Sequence, residues 1–255
     1  MTITEALISG IVQGITEFLP ISSSGHLVLI HRFFKLTEPN IFFDICLHVG
    51  TLMAVILYFG KDILRLVREK RAEWLVYLAI GTVPAVIAAL FFEDQISAFF
   101  MSSRRVACML IVTAAILFIG QLCLWRKSRQ EKGPTFFSSL IVGIGQAFAL
   151  LPGISRSGAT ISTGLVCRMK AEEAFRFSFL LSIPAILGAL LYKILKEDIG
   201  AIVLIDPGIY IAGTLTAFVT GLACLPLLWR VIRSRKLFIF SLYCLIVGIS
   251  GIFLL

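Results

Sequence analysis

Two short stretches of this chain gather the residue types that handle phosphate. The first holds Gln13 and Glu17, then Ser22, Ser23, Ser24 and His26. Gln13 and Glu17 are four residues apart, which puts them on one helical face. The second holds Ser155, Arg156, Ser157 and Thr160. Arginine offers a planar fork of donors suited to phosphate oxygens. A helix start beside it adds oriented N–H groups and a positive dipole end. Brought to one point, the two stretches would assemble a carboxylate, a histidine, hydroxyls and a guanidinium. Such donors stabilise the charge that develops in phosphoryl transfer. Ser23 as nucleophile with Glu17 or His26 as proton acceptor would complete a hydrolase. The residues alone leave open whether Ser23, His26 or a water attacks phosphorus. Gln13, Asp44, His48 and Gln146 are expected around this group rather than at the phosphorus. Asp44 and His48, four apart, fit an ordinary helix-entry pair equally well.

The elements that must position these residues are two copies of one phrase. GIVQGITEFLPISSSG runs from Gly10 to Gly25 and GIGQAFALLPGISRSG from Gly143 to Gly158. The offset is 133 positions (146 − 13 for the glutamines), and Gly10, Ile11, Gln13, Ile21, Ser22, Ser24 and Gly25 each have an identical partner. Each copy reads as a short apolar helix that stops at a proline, enters a serine-rich turn and restarts after a glycine. Inside a membrane, backbone groups freed at such a break must face protein or a water-filled cavity. Paired breaks point to the working site.

The setting is a membrane. Of 255 residues, 58% are hydrophobic and 15% charged, with a mean hydropathy of +0.97; soluble domains carry about 25% charged residues. The net charge of +8 gathers in short loops between apolar spans, as cytoplasmic loops do, and this excludes a nucleic-acid partner. The six cysteines have no metal-ligand or disulfide spacing. The N-terminus lacks a basic n-region and carries Glu5 and Glu17 in its first helix, against a cleaved signal peptide. Thr2 and Glu5 have capping-box spacing.

Six stretches approach the ~20 residues of a bilayer span: Ile41–Phe59, Trp74–Phe92, Val106–Trp125, Phe175–Leu195, Ile209–Trp229 and Leu237–Leu255. Tyr58, Trp74, Tyr77 and Trp125 near span ends read as interfacial anchors. The broken segments at about 3–34 and 136–169 are too short per half to cross, so each is a re-entrant hairpin. Lys61, Arg65, Arg68, Lys70 and Arg71 fill one loop, Arg126, Lys127, Arg129 and Lys132 a second, and Arg230, Arg233, Arg235 and Lys236 a third. The positive-inside rule makes these cytoplasmic; the loops near 93–105 and 196–206 fall outside. The fold class is then an all-α integral membrane protein of six transmembrane helices plus two re-entrant hairpins. Residues 1–125 form one repeat and 135–255 a second of inverted topology, with both termini external. FDICLHVG from Phe43 and FSFLLSIP from Phe177 extend the duplication with a one-residue shift.

QGITEFLPISSSGH from Gln13 to His26 and LPGISRSGATIS from Leu151 to Ser162 resemble the undecaprenyl-diphosphatase family, the bacitracin-resistance membrane phosphatases. FDICLHVGTL from Phe43 is also similar to a stretch of that family. The resemblance covers essentially the whole chain, in order and length. It implies hydrolysis of undecaprenyl diphosphate to undecaprenyl phosphate and inorganic phosphate, recycling the lipid carrier of cell-wall synthesis, in the bacterial cytoplasmic (inner) membrane. It implies catalytic roles for Glu17, Ser23, His26 and Arg156, and places the second motif on Pro152, Gly153, Ser155, Arg156, Ser157 and Thr160. It also implies a divalent cation, Mg2+ or Ca2+. Some members carry two glutamates in the first motif; here Gln13 leaves Glu17 as its only carboxylate and the expected metal ligand. The partners expected are a polyprenyl diphosphate and the bilayer, with a homodimer left open.

A different class shares this architecture. Inverted repeats with broken helices are common in transporters, so a carrier or flippase of lipid phosphates is the alternative. A phosphatidic-acid-type phosphatase fails on spacing, because no histidine follows His48.

Overall fold

The computed structural model describes residues 1–33, 41–68, 72–126, 132–196 and 207–254. Helix α1 (Ile3–Phe18) is followed by α2 (Ser23–Phe33), α3 (Ile41–Tyr58), α4 (Gly60–Arg68), α5 (Ala72–Phe91), α6 (Glu93–Phe100) and α7 (Ser103–Trp125). Then come α8 (Phe136–Phe148), α9 (Arg156–Val166), α10 (Ala171–Lys196), α11 (Pro207–Arg233) and α12 (Phe238–Leu254). Among the described residues the fold is all-α, with one isolated bridge between Lys132 and Met169.

Local chemistry sets the starts and breaks. The Thr2 side chain accepts from Glu5 N at 3.2 Å while Thr2 N donates to Glu5 Oε2 at 2.7 Å, the capping box expected. Thr135 and Ser138 cap α8 the same way. Pro20 follows α1, and Leu19 before it is extended, with ψ 142, because a proline's Cδ disfavours the helical region in the preceding residue. Ser22 then turns the chain with φ 72, and Gly153 does so in the second hairpin with φ 98. The second arms begin earlier than the sequence suggests: α2 at Ser23 and α9 at Arg156, not after Gly25 and Gly158. A serine explains this in each case. Ser22 Oγ accepts from Gly25 N at 3.3 Å and Ser155 Oγ accepts from Gly158 N at 3.1 Å. The serine is the N-cap and the next residue already opens the helix.

The helices α5, α7, α10 and α11 are long and apolar enough to cross a membrane, by length and composition. The chain is a multi-pass membrane protein. A fifth span requires α3 to be joined to α4, across a bend of 62°. α12 is apolar but has only 17 residues. The loop expected at Lys61–Arg71 is therefore largely helical. Its charges Lys61, Arg65 and Arg68 are exposed on α4, whose Ile63 and Leu66 turn to the core, a helical period that a charge count conceals. Likewise α6 occupies the expected loop at 93–105, and Arg230 and Arg233 ride on the last turn of α11. Tyr58, Trp74 and Tyr77 pack against the core cluster. Residue 34 of the first hairpin, Lys70, Arg71, Lys127, Arg129, residues 197–206 and Leu255 lie outside the described residues.

Packing is exchanged between the halves of the chain. The first arm of one hairpin, α1, lies against α11, and the first arm of the other, α8, lies against α5. Both contacts are glycine crossings. A Cβ on Gly10 would stand 2.6 Å from Gly213 O, and one on Gly143 would stand 2.5 Å from Gly81 O. Small residues let backbones approach this closely in membranes, where packing rather than solvent exclusion drives association. The hairpin turns are held by the other half as well. Thr113 on α7 donates to Gly153 O at 2.7 Å and accepts from Ser155 N at 3.0 Å, and Cys244 on α12 lies 3.7 Å from Pro20 O. Phe18, Phe59, Phe175 and Phe179 stack into one aromatic cluster under the first hairpin, with Phe179 ring centroids 5.0–5.8 Å from the other three.

Gly143→Val should therefore cost well over ~1–3 kcal/mol, the usual range of overpacking, because backbone on the facing helix cannot yield. Gly188→Ala, which meets nothing within 4 Å, should leave the melting temperature of the detergent-solubilised protein unchanged or raised. Equal melting of the two variants would show that the crossing is not a fixed contact.

Candidate active site

Glu17 occupies the last turn of α1 and is 8% exposed. Its two carboxylate oxygens have different partners. Oε2 accepts from Ser23 Oγ at 2.7 Å and from Gln13 Nε2 at 3.2 Å. Oε1 accepts from Arg156 Nη2 at 2.6 Å. Ser23 and Arg156 are the first residues of α2 and α9, and they are repeat mates (156 − 23 = 133). The duplication thus places a hydroxyl on one hairpin and a guanidinium on the other, and both converge on one carboxylate. The convergence is explained by position: each residue sits where its hairpin's second helix begins, and the two turns touch through Ser157 Oγ, which donates to Leu19 O at 3.5 Å.

His48 Nε2 stands 3.9 Å from Glu17 Oε2. Its Nδ1 lies 2.8 Å from the Asp44 carbonyl oxygen. A carbonyl only accepts, so Nδ1 carries the proton and Nε2 faces the carboxylate. Asp44 orients His48 through its backbone, one turn earlier in α3. His26 turns elsewhere. Its Nδ1 donates to Ser22 O and its Nε2 meets Tyr243 Oη, both at 2.8 Å, with the two rings stacked 5.7 Å apart. Neither contact reaches Glu17 or Arg156. His26 instead braces Ser22, whose left-handed backbone is of a kind that costs ~1–3 kcal/mol and needs such support.

The remaining hydroxyls form the walls of the two turns. Ser22 and Ser24 lie 3.3 Å apart, and their mates Ser155 and Ser157 3.2 Å apart. Thr160 Oγ1 donates to Arg156 O and lies 2.6 Å from Ser178 Oγ on α10. Gln146 is 2% exposed, and neither of its amide atoms has a hydrogen-bond partner among the described residues; it does not bond the Glu17 cluster as its mate Gln13 does. Two buried atoms of the cluster are also unpartnered there: Arg156 Nη1, a donor, and Gln13 Oε1, an acceptor. The guanidinium fork is half used. Its second arm can take an oxyanion without releasing the first.

Tyr243, Ser178 and Thr113 belong to this arrangement, although nothing in their sequence surroundings marks them. Each is a lone hydroxyl in an apolar span, and only the packing of helices distant in sequence gives it a partner.

No group of three or more His, Cys, Asp or Glu residues that could hold a metal ion occurs among the described residues. What the cluster offers a cation is one carboxylate, Glu17, and one free oxygen, Gln13 Oε1.

Because the pair is buried, breaking it should be costly. Arg156→Met alone should destabilise the protein by about 3–5 kcal/mol, since it strands Glu17, whereas adding Glu17→Gln should recover most of that loss. Thermal unfolding in detergent measures both. A double variant as unstable as the single would mean that Arg156 acts through packing, not through Glu17.

Comparison with known proteins gives the family. The family model described as bacitracin resistance protein BacA matches residues 6–250. A protein of Moorella thermoacetica named undecaprenyl-diphosphatase is 39% identical over 258 residues, covering 95% of this chain and 94% of that one. One of Korarchaeum cryptofilum with the same name is 40% identical over 271 residues, spanning all of both chains. Another, of Thermotoga petrophila, is 42% identical over 243 residues, covering 95% and 97%. With the match running almost end to end, the chain belongs to the bacitracin resistance protein BacA family.

Proposed function

We propose that this chain is an undecaprenyl-diphosphatase: it hydrolyses undecaprenyl diphosphate to undecaprenyl phosphate and inorganic phosphate, in a cytoplasmic membrane. The observation that carries the reading is the shared carboxylate. Glu17 accepts a hydrogen bond from Ser23 on one hairpin and holds Arg156 of the other, in a chain whose full-length relatives bear that enzyme's name.

In this reading a terminal phosphoryl group enters where α2 and α9 begin. Arg156 Nη1 and the helix-start N–H groups bind its oxygens and neutralise the charge that grows in the transition state. Ser23 Oγ attacks phosphorus as its proton passes to Glu17. The new Oγ–P bond replaces the bond to the bridging oxygen, and undecaprenyl phosphate leaves with the proton that Glu17 hands on, which restores the carboxylate. Water then opens the phosphoserine, giving up a proton to the same carboxylate, and inorganic phosphate departs. Geometry favours Ser23 over His26 as nucleophile, because both nitrogens of His26 are engaged with Ser22 and Tyr243. His48 Nε2, 3.9 Å from Glu17 Oε2, is beyond hydrogen-bond reach and takes no part in these steps.

A divalent cation fits here only as a companion of the substrate. Mg2+ keeps several waters and binds through one or two carboxylates plus substrate phosphates. Glu17 and Gln13 Oε1 would be its protein ligands, and the charge it supplies when bound would offset that of the diphosphate.

For the finer architecture, we infer two re-entrant hairpins in an inverted repeat, with both termini external. The exchanged contacts of α1 with α11 and of α8 with α5, each at a glycine crossing, are what a two-fold axis in the membrane plane would generate. Cysteines introduced near either terminus should react with an impermeant thiol reagent from outside, and one at Arg233 only after permeabilisation. Termini on opposite faces would remove the inverted repeat.

Carrier activity is the weaker reading, since a Ser–carboxylate hydrogen bond serves proton transfer rather than passage. Purified wild-type protein should release phosphate from undecaprenyl diphosphate; transport without release would favour the carrier. Arg156→Lys keeps the charge but loses the fork and should lower turnover by a factor of hundreds, the ~3–4 kcal/mol cost of removing one preorganised donor. Arg230→Lys, exposed at the end of α11, should be neutral. Near-normal turnover in Arg156→Lys would take the guanidinium out of the reaction.

A further inference from the structure

The two hairpin turns are built differently. In the second, the left-handed residue is a glycine, Gly153, and Thr113 holds its carbonyl from α7. In the first it is Ser22. A side chain makes that backbone costly, so the surroundings must impose it. Two bonds do so at the Ser22 carbonyl, and both come from His26. Its backbone N donates at 3.2 Å and its Nδ1 at 2.8 Å. The repeat mate of His26, 133 positions on, is Ala159, which has no such side chain to offer. The second arms differ as well. α9 lies against α7, α8 and α10, whereas α2 lies against α1 and α7. Ser23, the first residue of α2, therefore takes its place from the turn that precedes it.

The His26 ring is in turn set by Tyr243. Because Nδ1 donates to a carbonyl, the neutral ring presents a lone pair at Nε2. Tyr243 Oη, 2.8 Å away, donates to it. The other tautomer would aim a lone pair at the Ser22 carbonyl. The two rings lie nearly parallel, 10° apart. Tyr243 itself stands on a fixed wall. Two residues earlier Ser241 donates to Ala114 O at 2.7 Å, and a Cβ on Gly248 would stand 2.9 Å from Ala107 O, so α12 is held tightly on α7. Among the described residues, His26 is the one hydrogen-bond partner of the Tyr243 hydroxyl.

We propose that Tyr243 is a positioning residue for the nucleophile. The proposal rests on the hydrolase reading above. Tyr243 bonds neither Glu17 nor Arg156. Its hydroxyl holds one tautomer and one orientation of His26, His26 holds the Ser22 turn, and the turn sets Ser23 Oγ 2.7 Å from Glu17 Oε2. Arg156 belongs to the other hairpin, so phosphate binding there does not depend on this chain of contacts. The effect falls on the chemical step.

Tyr243→Phe keeps the ring and removes the hydroxyl. It should lower kcat for undecaprenyl diphosphate about tenfold, the net worth of one hydrogen bond, and change KM by less than about twofold. His26→Ala should lower kcat by at least as much, and Tyr243→Phe added to it should cost nothing more, because the two act as one unit. An unchanged kcat in Tyr243→Phe, a loss that falls mainly on KM, or additive losses in the double variant would each overturn the proposal. The tautomer is read separately, without turnover, from the nitrogen-15 resonances of histidine-labelled protein in bilayers. The signal that disappears in His26→Ala should report an Nδ1–H ring in the wild type and a mixture of tautomers in Tyr243→Phe. A His26 signal that is the same in both would also overturn the proposal. Absence of phosphate release by the wild type, with the tautomer still dependent on Tyr243, would sink the hydrolase reading and leave the brace standing.

Discussion

A guanidinium and a carboxylate from opposite halves of the chain meet inside an apolar bundle, 2.6 Å apart. Neither could stay charged there alone. An unpaired ionised group at that depth is among the most expensive things a membrane protein can hold. Each hairpin therefore needs the other to complete it, and the surrounding contacts serve that need. The glycine crossings bring the first arms in close, the serine caps start the second arms at Ser23 and Arg156, and Thr113 and Cys244 hold the turns. Remove the ion pair and those features have no common purpose.

The same pair makes the site economical. A lone carboxylate flanked by serine would be a base with nothing to receive the phosphate. A lone arginine would bind phosphate without any means of cleaving it. Sharing Glu17 gives one carboxylate both neighbours at once, on separate oxygens. In the proposed reaction the free arm of the guanidinium is left for the incoming anion while the other arm keeps the carboxylate aligned.

Much of this was legible in the residues, and the reason is locality. The proline breaks and the Thr2 cap are carried by short patterns whose physics acts over a few residues, and the repeat of such a pattern at an offset of 133 is what pairs Glu17 and Ser23 with Arg156. What was not legible depends on partners far away in sequence. His26 stands beside the serines but is claimed by Tyr243 on α12, and of the two readings open for His48 only the packing of α3 beside α1 selects the one near Glu17. Gly81 and Gly213 carry no local mark of the helices they admit. The short helices α4 and α6 were hidden because a charged amphipathic turn and a charged loop have the same composition; only the burial of Leu66 beneath exposed Lys61, Arg65 and Arg68 distinguishes them.

Two re-entrant hairpins, as inferred above, would also be the ingredients of a pore. Where chain ends and open charges meet water at that depth, ions and protons gain a stepping stone across the barrier. Here the charges cancel at contact distance, and the turns around them are closed by serine, threonine and phenylalanine side chains. For the hydrolase proposed above, a site closed in this way would let a water-consuming reaction run within the protein without opening a path for ions beside it.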